Sequence, residues 1–264
     1  MPYDSIFLFG DSITQDSFNQ ERGSGFSAAL QHAYIRRLDV INRGFSGYTS
    51  RQALEVLPHI IPTPHKNPIR LLLIFFGAND ASLPKVQNNQ HVPLDEYRDN
   101  LAKIIQHPQV AAHDPKIVLV APPPINEYLQ WNSDQSKGLN SLSRKAPITK
   151  SYADAAVQVA ENLGVPVIDL WKAFMAKAGL DLSTWKDGDA IPGSMETEPN
   201  DALVELMYDG LHFNPAGYDI LFDELIKVIG KNWPDLLPEN IPTVLPLWND
   251  PAGWEKWRSE IQKE

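Results

Sequence analysis

Short apolar segments alternate with segments of helical periodicity along most of the chain. The apolar segments have the length and composition of buried strands, and they cover residues 5–9, 38–41, 70–76, 117–121 and 165–170. Apolar residues recur at helical spacing over residues 24–37, 49–57, 94–107, 148–163 and 214–229. This alternation predicts a mostly parallel sheet covered by helices on both faces. Because strand–helix–strand crossovers are right-handed, we expect an α/β fold: a three-layer α/β/α sandwich with a five-stranded parallel sheet, flavodoxin-like in arrangement.

Two internal stretches interrupt this alternation. Residues 131–147 are polar, and we expect a surface loop or a short helical excursion there. Residues 186–200 are rich in Asp, Gly, Pro and Glu, which is typical of a loop. Helical periodicity then returns at Asn214-Pro215, where an N-cap residue followed by proline marks the start of the last long helix.

The end of the chain differs in composition from the rest. From residue 234 onward it is rich in proline, and it carries Trp248, Trp254 and Trp257. We expect residues 1–233 to form one domain and residues 234–264 to form a tail. The tryptophans need a surface to pack on, so the tail contacts either its own domain or a second subunit of a homodimer.

Composition excludes several classes of function. The formal net charge of −10 disfavours a protein that binds nucleic acid through phosphate contacts. The absence of cysteine excludes disulfides, thiolate catalysis and cysteine-bound metals. No His, Asp or Glu cluster has ligand spacing, so we expect neither metal nor cofactor. No apolar run reaches the roughly 18 residues of a membrane span, and no leader pattern opens the sequence, so we expect a cytoplasmic protein.

Candidate catalytic residues lie where predicted strands end. Ser12 follows the first strand, Gly44 the second and Asn79 the third, whereas Asp209 and His212 precede the last helix. In an open parallel sheet, ligands bind beyond the carboxyl ends of the strands. We therefore expect these residues to meet at one edge of the sheet.

Each of these signals alone also fits an ordinary structural role. Gly10-Asp11-Ser12 can be a turn with a capping hydroxyl, and His212 can be a loop histidine. A flavodoxin-like binding module is the main non-enzyme alternative, since its first loop cradles phosphate on backbone N–H groups. However, Asp11 would repel a phosphate there, and that alternative leaves Asn79 and His212 without a role.

Taken together, the signals resemble the SGNH, or GDSL, hydrolase superfamily, whose four blocks centre on Ser, Gly, Asn and His. The matching blocks are Gly10-Asp11-Ser12, Gly44, Gly77-Ala78-Asn79-Asp80 and Asp209-Gly210-Leu211-His212. The resemblance implies a serine hydrolase in which Ser12 is the nucleophile, His212 the general base and Asp209 the residue that orients His212. It also implies an oxyanion hole formed by the N–H groups of Ser12 and Gly44 and the side-chain amide of Asn79.

Further stretches look like the isoamyl acetate-hydrolysing esterase branch of this superfamily. They are residues 43–51, 76–81, 92–94 and 209–213, together with the Pro- and Trp-containing tail. This closer resemblance implies a small-molecule ester substrate, an acetate ester of a small alcohol, and a small acyl pocket shaped by Ile13, Ala78 and Ala81. Acetylated carbohydrates, thioesters and lysophospholipids remain as alternative substrates.

Two charged residues near these blocks are expected to be structural. Asp11 adjoins the candidate nucleophile but would point away from it. Arg51 could bind a substrate anion, although an ion pair within the protein fits its position better.

Overall fold

The sheet places the carboxyl ends of all its strands at one edge of the molecule. A computed structural model describes residues 3–84, 86 and 89–261. Its five strands pair in parallel in the order β2-β1-β3-β4-β5. They are β1 (Ser5–Gly10), β2 (Asp39–Gly44), β3 (Ile69–Phe75), β4 (Lys116–Ala121) and β5 (Val167–Asp169). The predicted α/β fold with a five-stranded parallel sheet is confirmed.

Helices connect the strands and cover the sheet. They are α1 (Ser12–Gln15), α2 (Phe26–Ala33), α3 (Ser50–Ile60), α4 (Leu94–Ile105), α5 (Pro108–Ala111), α6 (Glu127–Ser136), α7 (Ala146–Leu163), α8 (Leu170–Lys177), α9 (Asp201–Leu206), α10 (Pro215–Asn232) and α11 (Pro251–Ile261). Short 3-10 helices cover Asp16–Phe18, Pro234–Leu236 and Pro238–Asn240. No helix of the described residues is long and apolar enough to cross a bilayer.

The central strands are apolar throughout because helices cover them on both faces. All six residues of β1 are buried, as are six of the seven residues of β3. The neighbouring strand β2 lies at the edge of the sheet and is half-exposed. It therefore accommodates Asn42 and Arg43, which the sequence pattern placed outside the strand.

The first third of the 131–147 stretch is helical. Helix α6 begins after Asn126, whose side-chain oxygen accepts the N–H groups of Tyr128 and Leu129, and it ends at Ser136. An irregular segment then leads to α7. The 186–200 stretch contains no helix or strand and ends at Asn200, the N-cap of α9.

The tail divides into a packed part and an exposed part. In the packed part, the hydroxyl of Tyr34 donates to the carbonyl of Leu236 at 2.8 Å, and Arg36 Nη2 donates to the carbonyls of Leu245 and Pro246. Beyond these contacts, helix α11 has no buried residue. Trp248, just before α11, is 89 % exposed.

Candidate active site

Three side chains from distant parts of the chain form a continuous hydrogen-bonded series. Ser12 Oγ lies 2.8 Å from His212 Nε2. On the other side of the imidazole ring, His212 Nδ1 lies 2.8 Å from Asp209 Oδ2. When Nδ1–H donates to the carboxylate, Nε2 is left to accept the proton of the serine hydroxyl. This is the arrangement of a nucleophile, its base and the acid that orients the base.

The loop that carries the acid and the base is held by its own backbone. Asp209 Oδ1 accepts the N–H groups of Leu211 and His212 at 3.1 and 2.9 Å, which leaves Oδ2 for the ring. Gly210 adopts a φ of +92°, and a Cβ there would lie 2.4 Å from the carbonyl oxygen of Asn126. A glycine is therefore required for the loop to approach the start of α6.

The carboxyl of Asp209 is ionised at neutral pH. Burial acts to raise the pKa of Asp209, but the hydrogen bonds and charge of His212, aided by the N–H of Leu211, outweigh it and lower the pKa to about 2. A carboxyl with a depressed pKa stabilises the fold above its ordinary pKa, and that contribution is lost as the pH falls through the lowered value. The orienting acid therefore remains charged across neutral and mildly acidic pH.

Asp11 supports the turn and does not contact the imidazole. Its Oδ1 accepts the N–H of Ile13 at 2.9 Å and caps helix α1, which begins with Ser12. The carboxyl is fully buried, and this burial raises its pKa to about 7. The side chain thus fixes the strand-to-helix turn that presents the serine, as the sequence analysis expected.

Asn79 is held by contacts on both atoms of its amide. Its Nδ2 donates to the carbonyl of Tyr48 at 2.9 Å, and its Oδ1 accepts Arg144 Nη2 at 2.9 Å. An amide nitrogen carries two hydrogens, so one remains for a ligand. Asn79 and Ser12 both line the same cleft, whose volume is about 460 Å³.

The expected oxyanion donor Gly44 is wrongly placed for that role. Its N–H already donates to Asn42 Oδ1 at 2.8 Å, and a Cβ on it would lie 2.0 Å from the backbone nitrogen of Gln15. Gly44 is thus the last residue of β2, packed against helix α1 and away from the cleft lining. Its glycine is explained by this close packing.

A second glycine of the same segment lines the cleft. Gly47 follows β2 in the turn before α3 and adopts a φ of +81°. Its carbonyl accepts Gln90 Nε2 at 3.1 Å, whereas its N–H donates to no atom of the residues that the structure describes. The sequence contained the signal, since Gly44 and Gly47 flank one turn, but spacing alone could not show which glycine faces the cleft.

The expected acyl-pocket residues lie in the hydrophobic core. Ile13 and Ala81 have no exposed surface, and Ala78 has only 1 %. None of the three lines the cleft. These side chains pack in the core behind the site, and the assignment as substrate contacts is corrected accordingly.

The segment between α6 and α7, which sequence analysis treated as a surface loop or helical excursion, forms one wall of the cleft. Asp134 accepts Gln130 Nε2 and both the N–H and the hydroxyl of Ser143, at 2.7 to 2.9 Å. This network ties the segment to α6, and the next residue after Ser143, Arg144, lines the cleft with only 5 % of its surface exposed. A single arginine in a polar stretch carried no signal of burial in the sequence.

The remaining cleft lining is mixed in character. It comprises polar and charged side chains beside two leucines: Ser46, Gln90, Asp134, Lys137, Leu139, Ser143, Arg144 and Leu211. Arg51 is absent from it and instead forms a two-bond ion pair with Glu96, at 2.5 and 2.6 Å. The pair occupies both side chains at the surface, as the sequence analysis favoured.

This architecture and site define a class, the GDSL-type serine hydrolases, and comparison with known proteins agrees. The model of the GDSL-like Lipase/Acylhydrolase family matches residues 8–220. The chain therefore belongs to this family and is a carboxylic ester hydrolase.

The relatives extend over nearly the whole chain. A GDSL esterase/lipase of Arabidopsis thaliana is 38 % identical over 246 residues, covering 91 % of this chain and 90 % of its own length. The isoamyl acetate-hydrolyzing esterase of Saccharomyces cerevisiae is 34 % identical, covering 95 % and 96 % of the two chains. The crystal structure of a lipase/acylhydrolase from Enterococcus faecalis shares the fold, with a TM-score of 0.60, 24 % identity and coverage of 91 % and 98 %.

Proposed function

We propose that this protein is a serine esterase that hydrolyses acetate esters of small alcohols, such as isoamyl acetate, through an acyl-enzyme on Ser12. The observation that carries the proposal is the series from Ser12 Oγ through the His212 ring to Asp209, with 2.8 Å at each step. Ser12 and His212 line a cleft that can admit a small ester.

The chemistry proceeds in two acyl transfers. Ser12 Oγ attacks the ester carbonyl while His212 Nε2 takes the hydroxyl proton, and the tetrahedral intermediate collapses as His212 returns that proton to the leaving alcohol. Water then enters, loses its proton to His212 and attacks the acyl carbonyl. The second tetrahedral intermediate collapses as His212 gives that proton to Ser12 Oγ, which releases the acid and restores Ser12. Asp209 stabilises the imidazolium in both halves without itself taking the proton.

Three donors are available for the oxyanion of each intermediate. The N–H of Ser12 lies in the first turn of α1, where helical N–H groups have no intrahelical acceptor. The N–H of Gly47 and the second Nδ2 hydrogen of Asn79 lie on the same cleft. Donors fixed in advance at the developing charge are worth several kcal/mol in such sites, roughly 10²–10³ in kcat for each. We therefore assign Gly47 the role that sequence analysis gave to Gly44.

The choice of a short acetate ester rests on the relatives. Isoamyl acetate-hydrolyzing esterases or their homologues from yeast and several mammals match more than 90 % of this chain at 34–36 % identity. The polar wall formed by Gln90, Asp134 and Ser143 favours one alternative, an acetate ester whose alcohol carries hydroxyl groups, such as an acetylated carbohydrate. Acetylxylan esterases share the fold.

A chain-length series tests the acyl side of this proposal. We expect kcat/KM for isoamyl acetate to exceed that for isoamyl hexanoate by about tenfold or more, because a longer acyl chain must be accommodated beside the polar and charged side chains that line part of the cleft. The same assay with an acetylated monosaccharide compares the two alcohol classes. Release of acid is followed by pH-stat titration, with Ser12→Ala as the blank. A rate that rises steadily with acyl length would contradict an acetate esterase.

We also propose that the exposed part of the tail contacts a second copy of this chain. Trp248 and Leu247 are 89 % and 47 % exposed and adjoin α11, which has no buried residue. The tail packs beside Tyr34 and Arg36, just before the amino end of β2, whereas the cleft lies at the carboxyl ends. The tail and the cleft of one chain thus lie at opposite ends of the strands. The tail could therefore line an active site only in a partner subunit.

Truncation after Pro246 tests the tail while keeping the packed contacts to Tyr34 and Arg36. We expect the full chain to be dimeric in analytical ultracentrifugation and the truncated chain to be monomeric. Trp248→Ser should weaken the dimer, and Val204→Ser, which alters an exposed apolar residue on α9, should not. If the full chain and the truncated chain sediment as the same species with equal activity, the tail has no role in assembly.

A further inference from the structure

Arg144 is a buried cation in the wall of the cleft. It is 5 % exposed and lies in the segment between α6 and α7. Its Nε donates to the carbonyl of Ala78 at 2.7 Å, and its Nη2 donates to Asn79 Oδ1 at 2.9 Å and to Gln90 Oε1 at 3.1 Å. Its Nη1 lies 3.4 Å from the hydroxyl of Ser143. The guanidinium thus donates its hydrogen bonds mainly to neutral oxygens around Asn79.

Burying a guanidinium costs free energy, because the charged group loses its contact with water. Among the described residues, no carboxylate forms a salt bridge with Arg144. Burial lowers its pKa, while the charges of Asp134, Asp11, Asp209 and Asp80 act in the opposite direction. An arginine stays protonated under these conditions. The site therefore keeps one fixed positive charge behind the candidate oxyanion hole.

This contact decides which way the Asn79 amide points. Oδ1 faces the Arg144 donors, so Nδ2 faces the carbonyl of Tyr48 and the cleft. A flipped amide would set its NH₂ against the guanidinium and its oxygen against that carbonyl, losing both bonds. A hydrogen bond from a cation to Oδ1 also polarises the amide and strengthens Nδ2–H as a donor.

We propose that Arg144 is a positioning residue for ester hydrolysis, one that holds the Asn79 side-chain amide with its N–H aimed at the oxyanion of the tetrahedral intermediate. The inference rests on the proposed serine esterase mechanism and adds a residue to it. Arg144 acts through Asn79, so its effect falls on the transition state, where the oxyanion exists, and spares the ground state.

The test is a double-mutant cycle on Arg144 and Asn79. Asn79→Ala should lower kcat by about 10²–10³, as for loss of one oxyanion donor. Arg144→Lys and Arg144→Gln should lower kcat by about tenfold or more and change KM by less than about threefold, because they loosen that donor. Combining either with Asn79→Ala should reduce kcat no further than Asn79→Ala alone, since the amide that Arg144 orients is gone.

The affinity for a transition-state mimic distinguishes a positioning role of Arg144 from a purely structural role, which would leave that affinity unchanged. A short alkylboronic acid forms a tetrahedral adduct with a reactive serine, and its affinity should fall in the Arg144 variants by the same factor as kcat/KM. The Arg70→Lys variant is the matched control, since Arg70 is an exposed arginine on β3 that pairs with Asp4 at 3.1 Å. It should leave both quantities unchanged. Titration of Ser12 with a fluorophosphonate corrects all rates for the folded fraction.

Each outcome bears on the inference. Additive losses in the cycle, an unchanged kcat, or a loss confined to KM would overturn it. Failure of both Arg144 variants to accumulate as folded protein would also overturn it, because the guanidinium would then serve the fold and not the amide. Activity that survives in Ser12→Ala would instead remove the proposed mechanism, whatever the Arg144 variants do.

Discussion

Replacing Ser12 by alanine is expected to lower kcat for p-nitrophenyl acetate by about 10⁴-fold or more, while the fold persists. The hydroxyl is the group that forms the acyl-enzyme, and in serine hydrolases the loss of the nucleophile removes nearly all catalysis beyond that of the remaining donors. Among the described residues Ser12 Oγ makes one hydrogen bond, to His212, so its removal costs the fold little. Steady-state kinetics and thermal unfolding measure the two effects.

The matched control is Ser183→Ala. Ser183 is an exposed serine whose hydroxyl, within the part of the chain that the structure describes, hydrogen-bonds only to Asp181, at 2.6 Å. We expect this variant to keep full activity. Mass spectrometry after exposure to a fluorophosphonate should show one adduct on the wild type and none on Ser12→Ala. Wild-type turnover by Ser12→Ala, or an adduct on another residue, would mean that the nucleophile lies elsewhere.

Replacing His212 by alanine should produce a loss of similar size through a different step. Without an acceptor 2.8 Å from Ser12 Oγ, the hydroxyl keeps its proton and is a poor nucleophile. We expect kcat to fall by about 10⁴-fold or more and the rate of fluorophosphonate labelling of Ser12 to fall with it. Labelling kinetics therefore separate the loss of the base from the loss of the serine.

His59→Ala serves as the control for this variant, because His59 is exposed in the last turn of α3. It should be labelled and should turn over ester as the wild type does. Labelling of Ser12 at the wild-type rate in His212→Ala would contradict the role of His212 as base. Asp209 would then also lose its assigned role, since its Oδ2 contacts the active site through His212.

Local sequence was sufficient to predict the fold, because the strongest sequence patterns come from strands that are buried on both faces. In β1 and β3 nearly every residue is apolar, and this pattern has few other structural solutions. The edge strand β2 was predicted to end three residues too early, since Asn42, Arg43 and Gly44 resemble a turn. Their inclusion depends on pairing with β1, a contact between residues more than thirty positions apart.

The two glycines between the end of β2 and the start of α3 show where inference from local sequence fails. Both suit a turn, and only the packing of helix α1 against β2 shows that Gly44 fills a tight contact while Gly47 faces the cleft. Three apolar residues beside the blocks were misassigned for a related reason. Ile13, Ala78 and Ala81 lie within two positions of Ser12 or Asn79, but neighbouring side chains of one segment point in different directions, and theirs point into the core.

The sequence by itself determined the parallel α/β architecture, the order of Ser12, Asn79, Asp209 and His212, and the family, because these depend on apolar periodicity and on residue types at strand ends. The tertiary structure alone decided which N–H groups are free, which wall of the cleft is polar, and that Arg144 lies behind Asn79. The last of these features arises from contacts between segments more than sixty residues apart, those of Arg144 with Ala78 and Asn79. Such contacts depend on how elements pack, and no local pattern of side chains encodes them.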